Sequence, residues 1–452
     1  MATSTVDLNA LLSSLGSGAT GINVSSAVSA AIYAESAPER QWQAQQATLQ
    51  QQQSAINQLN NLASSLSDAL NALSDPLGVM TSLTANSSNS NVVTAAAIAG
   101  TAPGNHVVVV NNLAATAAWY SDSVSSSSAQ LNAGSFTLQV GSGTAMTIQI
   151  GNGVNTLDQL ASTINSQNLG VTASVVNDAN GSRLAIVSQS SGAANDIQIT
   201  NPTGLGFTQA VKGKNASITI DGIPVSSVTN TVTGAVNGLT LNLQSAAPGI
   251  EVNILIAPDS TAVANAVGSF VTAYNAMVKD VNSQFTYDST NQTSGPLAAD
   301  SAVRSLQGVL LGAGGYSIGG SIATLGAMGI SMGDDGTLTV DSTALGNALQ
   351  NNFSAVENFF QGSASNGFAS SLNSQLNDYT DPTEGAFTLD LQSLRTENTD
   401  LQNQIDTFQI YIASEQTRLQ ADYSQADILL QQLPNQMDQI NTMLGYNTKS
   451  GS

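Results

Sequence analysis

WQAQQATLQQQQSAINQLNNLASSLSDALNAL, residues 42–73, decides how the rest of the chain is read. Counted from Trp42, one set of positions recurs at alternating intervals of three and four: Gln45, Leu49, Gln52, Ile56, Leu59, Ala63, Leu66, Leu70 and Leu73. An α-helix gathers such positions into one stripe, and a stripe this long needs a partner to bury it. A second stripe lies near the other end, at Leu394, Leu401, Ile405, Phe408, Ile412 and Leu419. It then slips by one residue and resumes at Tyr423, Ala426, Leu430, Leu433, Met437, Ile440 and Leu444. The first and last segments are therefore expected to be long helices that pack on each other or into an assembly. The seam residues expected to carry this role are Leu49, Ile56, Leu59, Leu66, Leu70, Leu73, Leu401, Ile405, Phe408 and Leu419.

The flanks of these stripes are Gln, Asn and Ser rather than Glu and Lys. A free coiled coil usually fixes its partner through charges beside the seam. Their scarcity favours packing in a crowded multi-helix assembly. The plainer reading, long core helices of one globular domain, accounts for the same residues.

Composition narrows the function classes. The chain has 452 residues, enough for several domains and a sizeable core. Its 9 Lys and Arg stand against 30 Asp and Glu, a formal charge of −21, and no Lys or Arg lies between Arg40 and Arg183. Nucleic acid needs basic residues to displace counterions from phosphate, so that partner class is excluded. Anionic membrane surfaces are disfavoured on the same ground. Charged residues make up only 9% of the chain, which leaves Ser, Thr, Asn, Gln and Gly to cover the surface and fits a secreted or assembled protein. With no cysteine, neither a disulfide nor a thiolate metal site can form. Residues 1–15 lack the basic start and continuous apolar run of a secretory signal, and no stretch approaches the roughly 18 apolar residues of a membrane span. Export without a cleaved signal, and no membrane insertion, are the expectations.

Along the chain, residues 1–40 are rich in Ala, Ser and Gly and are expected to stay disordered until a partner orders them. A helix is predicted over 39–74, about 50 Å long, ended by Asp75-Pro76 and Gly78. From 80 to 258 the period changes to two, with strands expected at 92–98, 106–112, 135–140, 145–150, 171–176, 183–188, 197–200, 216–220, 238–243 and 250–256. Asn180-Gly181 and Asp221-Gly222 suit two-residue hairpin turns. One helix interrupts the strands, with Thr156 as cap and Leu157, Leu160 and Ile164 as its buried stripe. The Ser-rich segment 121–129 reads as a linker into this α+β unit. Helices return at 260–285, with Ser260 as cap, and at 300–311. A mobile Gly-rich loop follows at 312–320, then a hairpin turning at Asp335-Gly336, short helices at 341–351 and 353–361, and the last long helix from 388. Pro434 inside that helix, costing roughly 3 kcal/mol, is expected to kink or break it.

Motifs that could carry chemistry fail on their surroundings. Gly16-Ser17-Gly18-Ala19-Thr20-Gly21 spells a dinucleotide fingerprint, but no buried strand precedes it. Gly315-Tyr316-Ser317-Ile318-Gly319 matches a nucleophile elbow, yet the base histidine should follow the serine, and the one histidine, His106, lies far upstream in an apolar strand. One His and no Cys cannot build a zinc site. Asp178 and Asn180 before Gly181 hint at a calcium loop, but Val187 stands where the closing Glu belongs. No local signal promotes a pair of catalytic carboxylates. No catalytic residue, cofactor or metal is expected.

The parts together resemble the bacterial flagellar filament cap, or hook-associated protein two, family along nearly the whole chain. Gly16-Ser17-Gly18 followed by Gly21-Ile22-Asn23-Val24 is similar to its opening motif, and Glu35 and Pro38 to the acid and proline before its long helix. Ala102-Pro103-Gly104 leading into 106–114 resembles the strand that opens its head region. Phe136-Thr137-Leu138, Thr147-Ile148-Gln149-Ile150, Leu157 to Asn165, Val171-Thr172-Ala173 and Gly181-Ser182-Arg183-Leu184 resemble the insertion motif shared by flagellin and hook proteins. Asp221-Gly222, Asn230 and Gly238-Leu239-Thr240-Leu241 resemble its second head segment. Tyr274-Asn275, Gly295-Pro296-Leu297 with Asp300, and Asp335-Gly336-Thr337-Leu338 resemble its leg. The departures are two extra residues, Ala19 and Thr20, in the opening motif, the scarcity of basic residues, and Pro434.

The resemblance implies an α+β multidomain fold in which long terminal coiled-coil-type helices form stalk and leg and β-rich head domains are inserted between them. Residues 1–40 with 388–452 would be the stalk, 41–79 with 259–387 the helical leg, 80–120 with 208–258 a β-rich head, and 121–207 the insertion domain. It also implies a homo-oligomeric ring, commonly of five or six subunits, at the filament tip, under which flagellin folds and is inserted. The hook–filament junction protein and a type III export chaperone would be further partners. A flagellin-like or hook-junction axial protein and a secreted glycan-binding adhesin are the alternatives.

Overall fold

The computed structural model describes residues 23–289, 293–363 and 366–444. The chain divides into two units. One comprises Met1–Asn71, Gly268–Ser342 and Gly362–Ser452, and the other Ala72–Val267 and Thr343–Gln361. The chain's described part starts with two helices, α1 (Val24–Glu35) and α2 (Ala37–Ser74), separated by Ser36. The Asn23 side chain caps α1 by accepting from Ser26 N at 3.1 Å. Pro38 falls in the first turn of α2, where a missing N–H costs no helical bond. Disorder expected over 1–40 is thus corrected at 24–35, while 1–22 and the opening motif up to Ile22 lie outside the described residues. A helix of this length is too short to be stable alone, but the C-terminal helix gives it a surface to pack along, and Val28 is buried there.

Strands β1 (Leu83–Ser87), β2 (Val93–Ala97), β3 (Gly104–Asn112), β4 (Ala118–Ser121), β5 (Gly134–Val140) and β6 (Met146–Ile150) lead to helix α3 (Leu157–Ser166). Then come β7 (Val171–Asp178), β8 (Gly181–Ser188), β9 (Ile197–Thr200), β10 (Phe207–Val211), β11 (Ala216–Ile220), β12 (Ile223–Ser227), β13 (Thr231–Val236), β14 (Leu239–Leu243) and β15 (Val252–Pro258). Two cores result. A five-stranded antiparallel sheet, order β1-β15-β3-β11-β12, and a three-stranded one, β13-β14-β2, bury Val93, Val108, Ile218, Leu241 and Ile254. Sheets β10-β4-β8-β7 and β6-β5-β9 enclose Phe136, Leu138, Ile148 and Leu184 with Leu160 and Ile164 of α3. Thr156 caps α3 as expected, its side chain accepting from Gln159 N.

Every expected strand is present, and the period-two reading missed β1, β4, β10, β12 and β13. Of these, β1, β10, β12 and β13 end their sheets. An edge strand with one solvated face buries too few side chains to force a clean alternation. The Asp221-Gly222 turn has the positive φ values expected of it, 52° and 83°. The other hairpin is shifted by one residue: Asp178 pairs with Gly181, so Ala179 and Asn180 form its loop. Gly181 has φ 127°, and a Cβ there would stand 2.1 Å from the Val124 carbonyl oxygen, so only glycine fits. The expected linker at 121–129 is also corrected at its start. Ser121 is fully buried in β4, its Oγ accepts from Leu184 N at 2.8 Å, and Val124 bridges to Ser182.

Helices then resume with α4 (Ser260–Phe285) and α5 (Ser301–Ala313), followed by the hairpin β16 (Ile330–Met332) and β17 (Leu338–Val340). The cap of α4 is Asp259 rather than Ser260, since its Oδ1 accepts from Ala262 N at 2.9 Å. Val263, Val267, Phe270, Tyr274, Met277 and Val281 are all fully buried, as the helical spacing predicts. Helices α6 (Ser342–Asn351) and α7 (Phe353–Gln361) belong to the β-containing unit, and α8 (Phe368–Thr380) and α9 (Ala386–Met443) to the helical one. α8 was not foreseen; its Ser- and Asn-rich sequence hides the stripe Phe368, Leu372, Leu376 and Tyr379. α9 runs through Pro434 without a break. The flanks of that proline are exposed, so the Leu430 carbonyl left without its i+4 donor can be solvated.

Candidate assembly surface

The seam residues stand largely inside one chain. Leu49, Ile56, Leu59, Leu66, Leu70, Leu73, Leu401 and Ile405 are each at most 8% exposed, whereas Phe408 and Leu419 are half-buried. The apolar stripe of α9 fades gradually rather than stopping. Ile412, Tyr423 and Ala426 remain half-buried, and from Ile428 onward Leu429, Leu430, Leu433, Met437, Ile440 and Met443 are exposed.

Between α2 and α9 the contacts form an antiparallel ladder. Gln409 Nε2 donates to Glu39 Oε1 at 2.7 Å. Trp42 meets Phe408 edge to face, with ring centroids 5.3 Å apart. Gln46 Nε2 donates to Asn398 O at 3.3 Å and to Gln402 Oε1 at 3.1 Å. Farther along α2, Ser67 Oγ donates to Asn373 Oδ1 of α8 at 2.6 Å. Register is therefore set by amides and hydroxyls, where a coiled coil would use ion pairs. Gln45, expected to face inward, is exposed, and its neighbour Gln46 makes the bonds. Trp42, Phe408 and Tyr411 with Asn403, Gln404 and Thr407 line a shallow groove of about 410 Å³. Beyond it, Arg418 reaches back to the carboxylate of Glu415 and forward to Asp422 at 3.2 Å. The Arg418 guanidinium holds the Glu415 carboxyl below its usual range.

Three asparagines have a role that periodicity could not reveal. Asn275 Oδ1 accepts from Leu338 N at 2.6 Å while its Nδ2 donates to Leu338 O at 2.7 Å. Asn230 does the same for Ala114, at 2.7 and 3.1 Å, and Asn165 for Ala173, at 2.8 Å for both bonds. Each primary amide replaces a neighbouring peptide group, satisfying a backbone donor and acceptor that the sheets leave over. The signal was a polar residue beside a buried stripe, as in Tyr274-Asn275, which shows the position but not the contact.

The residues weighed for chemistry are occupied structurally. His106 Nδ1 lies 2.7 Å from Asp221 Oδ2, and this contact, with the bond from Val107 N, draws the Asp221 carboxyl below its usual range. Tyr316 of the elbow-like segment donates its hydroxyl to Asn366 O at 2.6 Å. Tyr274 donates to Leu310 O at 2.6 Å, and burial pushes its phenol well above the ordinary value. Burial likewise raises Asp280, and raises Asp390 with help from the nearby Asp300 charge. Among the described residues no group of three or more His, Cys, Asp or Glu could hold a metal ion, and no helix is long and apolar enough to cross a membrane.

Comparison with known proteins gives three family matches. Residues 20–117 match the flagellar hook-associated protein 2 N-terminus, 213–435 the flagellar hook-associated protein 2 C-terminus, and 135–190 the flagellin hook IN motif. The B-type flagellar hook-associated protein 2 of Pseudomonas aeruginosa is 28% identical over 338 residues, covering 67% of this chain and 70% of that protein. The A-type protein of the same species is 27% identical over 389 residues, 77% of this chain and 80% of that protein. In structure, the chain is similar to the flagellar cap protein FliD D1-D2-D3 domains from Escherichia coli. The TM-score is 0.55 at 23% identity, covering 75% of this chain and 99% of that one, which is a likeness of fold.

Proposed function

The chain belongs to the flagellar hook-associated protein 2 family, and from this we propose that it caps the distal tip of the bacterial flagellar filament, where it retains exported flagellin and promotes its folding and insertion. The observation that carries the reading is the order of matches: the two halves of one family flank an insertion motif of flagellin and hook proteins. That order favours the cap over a hook-junction protein or an adhesin. The work of such a protein is structural, done through surfaces and without a catalytic residue, cofactor or metal.

In this reading residues 1–40 with 388–452 form the stalk, 41–79 with 259–387 the leg, 80–120 with 208–258 a head, and 121–207 the insertion domain. Subunits close into a ring of five or six. Leu49, Ile56, Leu59, Leu66, Leu70, Leu73, Leu401 and Ile405 stiffen each leg from within, which their burial supports. Phe408 and Leu419, half-buried, are the seam residues left for a neighbouring subunit. The hook–filament junction protein and an export chaperone are further partners, and the type III flagellar route is the path outward. A chain without cysteine cannot cross-link on the way.

The test is deletion of the gene, followed by comparison of flagellin on cells with flagellin in the medium. Monomeric flagellin in the medium and few filaments are expected. Normal filaments and motility would refute the cap and bring the adhesin forward. A Phe408→Asp variant of the purified protein is expected to lose the ring while keeping the helix content of the wild type; rings of unchanged mass would remove Phe408 from the seam.

A further inference from the structure

β7 ends its four-stranded sheet, so one side of it has no strand partner. Its loop to β8 has two residues, which makes Asp178 and Gly181 a hydrogen-bonded pair. By alternation, the backbone groups of Thr172, Ser174 and Val176 point at β8, and those of Val171, Ala173, Val175 and Asn177 point away. Such a row is a template for another strand. Part of it is already filled. Asn165, in the last turn of α3, accepts from Ala173 N and donates to Ala173 O, both at 2.8 Å. Gln189 Nε2 donates to Val171 O at 3.2 Å. Val175 and Asn177 remain open, with Val171 N, so the uninterrupted stretch beyond Ala173 is 175–177, shorter than the roughly five residues of an ordinary strand.

We infer that the Asn165 side chain closes the edge of β7 against antiparallel pairing with β7 of a second copy of this chain. The primary amide sits where the peptide of an added strand would sit. The second copy is the fitting occupant because the strand's own residues offer no obstacle to antiparallel pairing with themselves. Val171 to Asn177 carries no charge and no proline, the usual obstacles to edge pairing. The one acid, Asp178, is neutralised within its own hairpin by Arg183 at 2.8 Å. Two such strands paired about Val175 would set Asp178 opposite Thr172, so no like charges meet. In a protein whose subunits are held close together, an open self-complementary edge would compete with correct assembly.

Three variants of the full chain test this. Asn165→Ala is expected to produce a species heavier than the wild-type particle in analytical ultracentrifugation, growing with concentration. Adding Val176→Lys, at an exposed position of the same edge strand, is expected to return the mass to that of the wild type. In the wild type, hydrogen exchange at the Ala173 amide is expected to be about ten-fold slower than at Val175 or Asn177, as one extra hydrogen bond would give. Unchanged mass in Asn165→Ala overturns the proposal. So does a heavy species that Val176→Lys fails to reverse, since misfolding would account for it. Equal exchange at Ala173 and Val175 in the wild type overturns it without any variant.

Discussion

Replacing Asn275 by Asp changes one heavy atom and removes one hydrogen-bond donor. In the native chain the Asn275 amide receives the Leu338 N–H at 2.6 Å and gives an N–H to the Leu338 carbonyl at 2.7 Å. Leu338 is only 2% exposed, so its carbonyl has little access to water. Asp keeps the acceptor but turns a carboxylate oxygen toward that carbonyl. One hydrogen bond is lost and a buried acceptor is left facing a second one, together worth about 2–4 kcal/mol at pH 7. The sign with pH is fixed. Apposition to a carbonyl raises the folded pKa of the new carboxyl above its unfolded value of about 3.9. Its protonated form can donate the missing bond, so stability is restored at low pH and lost as pH rises through the folded value. Urea unfolding followed by far-ultraviolet circular dichroism at pH 7 and pH 4 measures both. Asn275→Asp is expected to be less stable than wild type at pH 7 and to recover at pH 4, whereas Asn275→Ala is expected to be destabilised equally at both. A loss below about 0.5 kcal/mol at pH 7, the size of an ordinary surface change, would refute the reasoning. So would a loss that does not respond to pH.

Other perturbations read other layers of the molecule. Leu66→Ala, at a position 0% exposed, is expected to cost about 2–5 kcal/mol in thermal or urea unfolding. Trp42→Ala removes the edge-to-face contact with Phe408 and is expected to cost about 0.5–1.5 kcal/mol beyond lost burial, with no further loss from the ring pair when Phe408→Ala is added. Asp390→Asn removes a carboxyl that burial holds above its ordinary range and whose Oδ2 is buried without a partner. A raised carboxyl pKa contributes stability below the unfolded value that is lost as pH rises through the folded one. The variant is therefore expected to be more stable than wild type at pH 7 and little changed near pH 3. Gly141→Ala would place a Cβ 1.8 Å from the Ala194 carbonyl oxygen at a φ of 54°. A loss of more than about 2 kcal/mol is expected, and an unaffected melting temperature would contradict the described loop.

Long periodic elements were legible because burial enforces their pattern. The stripe from Val263 to Val281 is buried residue by residue as the spacing predicts, and so is the seam from Leu49 to Leu73 apart from the half-buried Gln52. Edge strands and the α8 helix were less visible, since each depends on neighbours distant in sequence; the Asp259 cap is local and lies one residue before the expected one. The Ser-rich segment at 121 looked like a linker because serine is usually solvated. In the fold, the Ser121 hydroxyl supplies a buried acceptor to Leu184 N. The paired bonds of Asn165, Asn230 and Asn275 follow the same logic: the residue type is visible, but its partner lies 8 to 116 positions away.

By itself the sequence determined the alternation of helical ends with a β-rich middle, the absence of thiol chemistry, and the family resemblance. These rest on side-chain periodicity and composition, which are local properties of the chain. Tertiary structure decided which part of the seam a single chain buries and which it leaves half-open at Phe408 and Leu419. It also decided which backbone groups need an asparagine to satisfy them, and that α9 passes through Pro434 unbroken. A heptad stripe specifies that a helix must be covered, and only the packed fold specifies by what.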